Sequence, residues 1–444
     1  MKLRHLAEGR AHLERALALL GWPVPATRGR LVASLLEQVL RQVLHRVWPV
    51  RFVGRTREAR ATLLEAARAY ERLGELSIIA NEHIPFVYSI VHGLNLAETA
   101  GPSPELARFY ASMSVAAGLI PLHPLAEMYS RQAWETAQRV NDLPALAWVL
   151  AVTSVYRLGV GQWTKAQDAL GQAAEIADRL GDRRRWEESL VMLELVHSTR
   201  GEFARCVELL ADLYASARHR NDVQFQRTGL IEQGMLALVL GRVDEAAAFL
   251  KAAAAVLTED ETLDRADQIP YYGLLALVHL RRGEEWLARQ AAETAAQLIA
   301  QTRPTLVTRN ASVVAEVYLT LWEASHDRPP AERAAVAQAA RQACKTLHDF
   351  ARVFPIGQPR AWLWHGLYEW LAGQPRQAMK AWRKTLAAAE RLAMPYDQGL
   401  AHYEIGRHAT GPERQEHLAR ARALFAQLGA AYDLARAEAA AKQA

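Results

Sequence analysis

A spacing of small and large residues recurs along the chain, each time behind a helix-breaking glycine. In the stretch 368–392, Gly373 is followed five residues later by Ala378 and nine residues later by Trp382. Positions five, nine and twelve after a turn share one face of an α-helix, which repeats every ~3.6 residues. The pattern therefore predicts that a helix ends at the glycine, the chain reverses, and the next helix crosses the first at a small residue.

The same layout returns at intervals of about forty residues, which predicts a repeat of two helices, each of about 16–18 residues. Second breaks are predicted at "LGE" (Leu73–Glu75), "LGD" (Leu180–Asp182) and "RND" (Arg220–Asp222). Strand signals are absent, with no Asn-Gly hairpin and no sustained alternation of period two, so the predicted fold class is all-α. The turn positions, each with its small residue, are Gly54 with Ala59, Pro121 with Ala126, Gly161 with Ala166, Gly201 with Cys206, Gly241 with Ala246, Gly283 with Ala288, and Gly373 with Ala378.

This layout resembles the second half of a tetratricopeptide repeat, although the period exceeds that family's usual ~34 residues. The resemblance implies a right-handed α-solenoid of tetratricopeptide-like helical hairpins. Longer units of this kind resemble the helical sensor arms of large bacterial signal-transduction ATPases. The stretches "AWRKTLAAAERLAMPYDQGLAHYEIGRH" and "ALALLGWPVPATRGRL" most resemble the C-terminal helical region of the group fused to class III nucleotide cyclases or kinases. The implied partner is an ATPase or cyclase module, in the same chain or in another.

The chemistry of those larger proteins cannot be assigned to any residue of this sequence. It contains neither a G-x-x-x-x-G-K-[ST] phosphate loop nor a cyclase-like run with paired metal-binding aspartates. The first helix already ends at "LLG" (Leu19–Gly21), the ending expected of a second helix, so residue 1 falls inside a unit. We expect either a piece of a longer protein or an irregular cap. Repeat regularity divides the chain into basic helices (1–53), irregular repeats (54–120), regular repeats (121–325) and an aromatic-rich end with a cap (326–444).

Composition favours a large buried core and a reducing compartment. Hydrophobic residues make up 51% of the chain, and its two cysteines, Cys206 and Cys344, exclude a disulfide framework and a thiolate-rich metal site. The N-terminus is amphipathic, without a signal-peptide core, and no window approaches the ~18 uninterrupted apolar residues of a membrane span. These features predict a soluble, cytoplasmic protein that does not enter a membrane.

Positive charge is concentrated at the N-terminal end. Residues 1–70 hold thirteen Lys or Arg against five Glu, a net charge of +8, whereas the whole chain carries +5 and the remainder therefore −3. Such a segment indicates either an anionic partner or a solvated helix face rich in arginine. Nucleic acid binding through residues 28–60 is a further but less favoured interpretation.

No motif for catalysis, a cofactor or a metal is present, so a non-catalytic protein is predicted. No serine lies in G-x-S-x-G, and the fifteen histidines never form H-E-x-x-H. Cys206 occupies the small-residue position of its repeat and is predicted to pack rather than react. The acidic stretch Glu259–Asp264 lacks the glycine of a calcium loop and indicates a solvated connector.

The first helix of each unit lines the inner surface in tetratricopeptide proteins, and projecting that pattern here predicts a mostly apolar groove. The first hypothesis is therefore a regulatory scaffold that holds a protein partner. The second is a sensor for a small apolar or aromatic ligand near the tryptophans of the last units. The candidate groove-lining residues are Trp148, Met192, Met235, Trp364, Trp370 and Trp382.

Overall fold

The computed structural model describes residues 2–54, 59–80, 82–256 and 265–442, and the acidic connector Glu259–Asp264 lies outside them. Over these ranges the regular structure is helical, which confirms the predicted all-α class. Two short 3₁₀ turns, Leu306–Asn310 and Pro355–Gly357, join longer helices. The α-helices are α1 (Lys2–Leu19), α2 (Arg28–Val47), α3 (Pro49–Phe52), α4 (Arg60–Ile79), α5 (His83–Ala100), α6 (Pro104–Leu119), α7 (His123–Val140), α8 (Leu143–Gly159), α9 (Trp163–Leu180), α10 (Arg183–Thr199), α11 (Phe203–His219), α12 (Val223–Val239), α13 (Val243–Ala255), α14 (Arg265–Arg281), α15 (Glu285–Ala300), α16 (Ala311–Glu323), α17 (Pro330–Val353), α18 (Gln358–Leu371), α19 (Pro375–Arg391), α20 (Pro395–His408), α21 (Gly411–Leu428) and α22 (Ala431–Lys442).

The predicted glycine turns join these helices into hairpins. At Gly241 the backbone φ is +78°, a conformation that glycine adopts without a Cβ penalty. The Arg242 amide donates to the Ala237 carbonyl at 2.8 Å and the Gly241 amide to the Leu238 carbonyl at 3.1 Å, which closes α12 with a Schellman motif. The other five predicted turn glycines also have a positive φ; they are Gly54, Gly161, Gly201, Gly283 and Gly373.

Of the predicted second breaks, "LGD" and "RND" are confirmed and "LGE" is wrong. Gly181 and Asn221 have φ values of +69° and +54° and end α9 and α11. Gly74 lies inside α4, which continues to Ile79. A Cβ at Gly74 would lie 3.6 Å from the Ser89 side chain of α5, so this glycine serves a close helix–helix crossing rather than a turn.

Small residues lie where the second helix of a hairpin crosses the first. Trp382 shows how a large residue is accommodated four positions later: its indole lies over Gly366 of α18, and its Nε1 donates to the Leu363 carbonyl at 3.2 Å. The predicted tetratricopeptide-like hairpins are thereby confirmed as the fold. The small crossing residues that are fully buried are Ala126, Ala166, Cys206, Ala246, Ala288 and Ala378.

Contacts divide the chain into two compact units. Unit 1 comprises Met1–Tyr156 and Ala169–Arg185, and unit 2 comprises Arg157–Asp168 and Trp186–Ala444. In unit 1, α4 packs against α5 and α6 against α7, while α2 lies on α5. The sequence-based division at 53, 120 and 325 rests on repeat regularity and stays a prediction.

The last helices of unit 2 pack back on its first hairpins. Trp163 Nε1 donates to the Leu392 carbonyl at 2.6 Å, and the Leu428 side chain contacts the turn at Gly201. The C-terminal hairpins therefore lie across the turns of earlier ones, and the first helices of successive hairpins face a common interior. In the described residues, no helix is both long and apolar enough to cross a membrane.

Candidate functional site

A cavity of about 190 Å³ lies in the interior of unit 2. Its wall is built by the first helices of successive hairpins, α10, α12, α14, α16, α18 and α20, together with one end of α11 and one end of α17. The groove projected from the repeat pattern also lay on first helices, and that projection stays a prediction. The apolar part of the wall includes Leu195, Phe203, Met235, Leu277, Val313 and Phe350.

Three glutamates, one each on α10, α12 and α16, enter this apolar wall. Glu194 is 4% exposed, and burial, reinforced by the charge of Glu232, raises its pKa to about 8. Burial also raises the pKa of Glu316 above its ordinary value. In the described part of unit 2, neither Glu194 nor Glu316 has an ion-pair partner within 4.0 Å. Burial therefore favours the neutral form of the Glu194 carboxyl, although a hydrogen bond from Ser198 and the charge of Arg309 act in the opposite direction.

Three arginines also line the cavity; each contacts another group directly, while the charges of Arg281 and Arg360 favour ionised Glu316 and that of Arg309 favours ionised Glu194. Arg309 Nη2 donates to both carboxylate oxygens of Glu232, at 3.0 and 3.2 Å. Arg360 pairs with Asp397. Arg281 donates to a backbone carbonyl, and its guanidinium lies 3.9 Å from the ring centroid of Tyr432.

An apolar cavity wall that carries two carboxyl groups without ion-pair partners suits one kind of guest. A lysine or arginine side chain carries an apolar stem and a cationic head, so the stem contacts the wall while the head meets Glu194 and Glu316. A cavity of about 190 Å³ has room for a single side chain rather than a whole folded ligand. A cation arriving there favours ionised Glu194, so binding releases a proton.

The candidate groove residues lie in different places. Met235 lines the cavity, and Met192 is half-buried on α10. Trp148 packs partly buried against the core of unit 1. The remaining three belong to the aromatic packing of the last hairpins: Trp364 and Trp382 are 3% and 0% exposed, and the half-buried Trp370 ring lies 4.0 Å from that of His408.

Sequence reasoning missed the charged residues of the wall. The projection followed apolar positions and passed over a carboxylate set inside each apolar first helix: "LELV" at Glu194, "LIEQ" at Glu232 and "VAEV" at Glu316. A glutamate inside an apolar helical run is costly to bury, so it marks a partner or a site. That signal is present in the amino-acid sequence itself.

The described residues hold no group of three or more metal-ligating side chains. The nearest approach is a pair, with Nδ1 of His402 and Nδ1 of His417 2.8 Å apart. Burial, together with His417, lowers the pKa of His402 to about 4, so this imidazole is neutral at physiological pH.

Unit 1 contains a second buried carboxylate, which is fully satisfied. Glu98 of α5 is 0% exposed and accepts from Gln42 Nε2 at 2.9 Å, His45 Nδ1 at 2.6 Å and Tyr110 Oη at 2.9 Å. Arg46 also pairs with it. Gln42, His45 and Arg46 all come from α2, so the network fixes the polar face of α2 against α5.

Comparison with known proteins supports the fold class. No protein-family model matches the chain. A Rap protein solved in complex with competence and sporulation factor is similar with a TM-score of 0.51 and 15% identity, over 87% of this chain and 99% of that one. At this identity the likeness shows a shared helical-repeat fold and nothing about activity.

Two other solved structures are more distant. A monomeric mutant of IFIT1 has a TM-score of 0.45 at 12% identity, covering 88% of this chain and 86% of the other. A STAND protein with a tetratricopeptide repeat sensor from Pyrococcus horikoshii has a TM-score of 0.39 at 12% identity, covering 92% of this chain and 66% of the other. Likenesses this weak carry no argument about function.

Proposed function

We propose that this chain is a non-catalytic regulatory scaffold, which binds a protein partner through the interior face of unit 2. The observation that carries the proposal is the cavity, whose largely apolar lining includes Glu194 and Glu316, neither with an ion-pair partner within 4.0 Å. A lysine or arginine side chain of the partner occupies it. Helical repeats use extended inner surfaces in this way, with one buried side chain anchoring a larger contact.

Two finer assignments belong to the same proposal. The partner is an ATPase or cyclase module, in cis or in trans, as the resemblance of the repeats implies. A reducing cytoplasm fits the two free, buried cysteines, Cys206 and Cys344. The Rap protein of similar fold was solved with a bound factor, so a scaffold of this class is compatible with regulated binding.

A small apolar ligand near the last tryptophans is the alternative, and the structure favours it less. Trp364 and Trp382 are buried in the packing of the last hairpins and do not line the cavity. The cavity itself is lined by several charged side chains. An uncharged aromatic guest would bring no cation to the Glu194 and Glu316 carboxyl groups and would remove water from around them, which costs free energy.

The test uses short fluorescein-labelled peptides that differ only at a central residue, which is arginine, lysine, norleucine or glutamate. We expect the arginine and lysine peptides to bind and the other two not to bind. Affinity rises between about pH 6 and about pH 9, because Glu194 must ionise. The double variant Glu194→Gln with Glu316→Gln should lose binding, whereas Glu390→Gln, an exposed carboxylate of α19, serves as the matched control.

The result that overturns the proposal is equally clear. Equal binding of the norleucine and arginine peptides would remove the role of charge. Binding that is unchanged in the double variant would place the site elsewhere. Co-purification of the tagged protein with ATPases or cyclases encoded by neighbouring genes then tests the partner class. Equal recovery of such a partner by wild type and by the double variant would count against the proposal.

A further inference from the structure

One arginine of the cavity wall is held by the last described helix, α22. Arg281 of α14 lines the cavity, and its guanidinium lies 3.9 Å from the ring centroid of Tyr432, in the first turn of α22. The Arg281 side chain also donates to the Leu238 carbonyl of α12, while its Nε is buried and has no hydrogen-bond partner among the described residues. The guanidinium is therefore held by an aromatic ring and a carbonyl rather than by a carboxylate.

Tyr432 has a defined position because α22 starts against the turn of an earlier hairpin. Gly429, with a φ of +68°, follows α21 and turns the chain toward that hairpin. A Cβ at Gly241 would lie 2.9 Å from the Tyr432 backbone nitrogen, so the α12–α13 turn and the start of α22 are in close contact. Asp433 accepts a hydrogen bond at 2.6 Å from Tyr396 Oη, and Tyr396 also lines the cavity. Helix α22 therefore contacts the cavity wall at two side chains.

Arg281 is also the cation that acts most strongly on Glu316. Both residues line the same cavity, from helices α14 and α16, which pack against each other. Burial raises the pKa of the Glu316 carboxyl, and the charge of Arg281 is the largest influence in the opposite direction. Arg360 and Arg436 also lower this pKa, whereas Asp433 raises it. In the described part of unit 2, Arg281 and Glu316 nevertheless form no ion pair within 4.0 Å, because the guanidinium lies against the ring on α22.

A guanidinium released from Tyr432 would compete with a partner for the same carboxylate. An ionised carboxylate accepts one arginine through two parallel hydrogen bonds, which occupy the oxygens that a second cation needs. A cation–π contact is worth only a small multiple of the thermal energy, so the balance between the ring and the carboxylate can be shifted by one substitution. Loss of the ring would therefore let Arg281 turn to Glu316 and fill the cavity from within.

We propose that Tyr432 is a positioning residue, which holds Arg281 away from Glu316 and so keeps the cavity available to the cationic side chain of a partner. The seating of α22 then regulates the cavity: with α22 in place Glu316 is available, and with α22 displaced Arg281 pairs with it. This inference rests on the proposed function, since it concerns the same cavity. The pairing of Arg281 with Glu316 can nevertheless be measured without any partner.

The first test follows the Glu316 carboxyl carbon in the full chain labelled with ¹³C-glutamate, and assigns its resonance by its absence from Glu316→Gln. Tyr432→Leu keeps an apolar side chain on α22 but removes the aromatic face. We expect it to lower the titration midpoint of Glu316, because Arg281 then pairs with the carboxylate. Tyr432→Phe is the matched control, since it keeps the ring and should leave the midpoint where it is. A midpoint that Tyr432→Leu does not move would overturn the proposal.

Arg281→Met separates pairing from a change in hydration. Alone it should raise the Glu316 midpoint, because the largest charge that favours the ionised form is lost. In the presence of Arg281→Met, the further change Tyr432→Leu should no longer move the midpoint. A drop of equal size with and without Arg281 would mean that loosening of α22 admits water to Glu316, and it would overturn the proposal.

The second test measures binding of the arginine-containing peptide to the same variants. Tyr432→Leu should weaken binding by about three- to tenfold, the size of a cation–π contact, and Tyr432→Phe should not. Adding Arg281→Met to Tyr432→Leu should restore binding, because the internal competitor is gone. Full affinity in Tyr432→Leu would contradict the role of Tyr432. A peptide that binds none of the proteins, wild type included, would contradict the proposed function, while the Glu316 midpoints would still decide whether Tyr432 holds Arg281.

Discussion

Glu98 of unit 1 and Glu194 of unit 2 are both buried carboxylates on helices with apolar neighbours, yet their surroundings are opposite. Glu98 receives donors from Gln42, His45 and Tyr110 and pairs with Arg46. Glu194 faces a cavity and the like charge of Glu232, and its pKa is raised to about 8.

The difference separates a structural carboxylate from one available for binding. A buried charge with all its acceptor positions occupied fixes the elements that supply the donors, and here it fixes which face of α2 is inside. A buried carboxylate without a counter-charge is destabilising, and it is relieved when a cation arrives. Stability measurements should therefore give the two residues opposite signs.

The largest expected effect is at the satisfied site. Glu98→Gln removes the charge that Arg46 and the other donors face, and should lower the free energy of unfolding by about 2–3 kcal/mol, since part of Arg46 remains solvated. Chemical denaturation measures the loss, and hydrogen exchange should show α2 loosening. Glu135→Gln, an exposed carboxylate of α7, should change stability by less than about 0.5 kcal/mol. Equal effects of the two substitutions would contradict the structural role of Glu98.

Acid should act on unit 1 through its buried histidines. Burial, with contributions from Arg41 and Arg46, lowers the pKa of His45 from 6.5 to about 4, and burial with Arg41 does the same for His92. Between about pH 4 and about pH 6.5, both histidines are protonated in the unfolded chain but remain neutral in the folded chain. Stability therefore falls as pH drops from about 6.5 to about 4, by up to ~1.4 kcal/mol per pH unit for each group.

The variant that isolates this effect is His92→Phe, which keeps an aromatic ring beside Tyr70 and removes one titrating group. Between about pH 4 and about pH 6.5, the slope of the free energy of unfolding against pH should decrease by up to ~1.4 kcal/mol per pH unit, which is the contribution of one bound proton. An unaltered slope would show that His92 titrates normally in the folded protein.

The positions of the turns can be predicted from the sequence because each depends on residues close to one another in the chain. Gly241 and Gly373 need a positive φ, and the small residues that follow them are dictated by helix contact. The sequence does not reveal that α2 buries its polar face and exposes its apolar face, because the amphipathic pattern is the same whichever face is inside. Only the placement of Glu98 and Asn95, from another hairpin, decides that the polar face is buried.

The projection from the repeats named the inner face of the first helices but none of the charged residues that line the cavity. Met235 lies in the cavity wall, and its role in binding stays a prediction. Trp382 does not line it, since a glycine at 366 opens a pocket for its indole in the hairpin core. That pairing joins residues in two helices and has no signature within either one.

The smallest expected change in the free energy of unfolding is a gain, at Glu194, whereas Glu98→Gln is expected to cause a loss. Glu194→Gln places a neutral amide where the structure already favours a neutral carboxyl, so it should stabilise the protein at alkaline pH by an amount on the order of 1 kcal/mol. Folded Glu194 ionises at a higher pH than unfolded Glu194, so wild-type stability is full below about 4.5 and declines as pH rises to about 8. The variant should lack this decline, and a loss of stability at every pH would contradict the assignment.

The most direct test is the titration of Glu194 itself, followed by the carboxyl carbon in protein labelled with ¹³C-glutamate. The resonance is assigned by its absence from Glu194→Gln. We predict a midpoint near 8, moving downward when the arginine-containing peptide is added. A midpoint at the ordinary value of 4.5, unchanged by the peptide, would mean that Glu194 already has a partner and that the cavity is not a site for a cation.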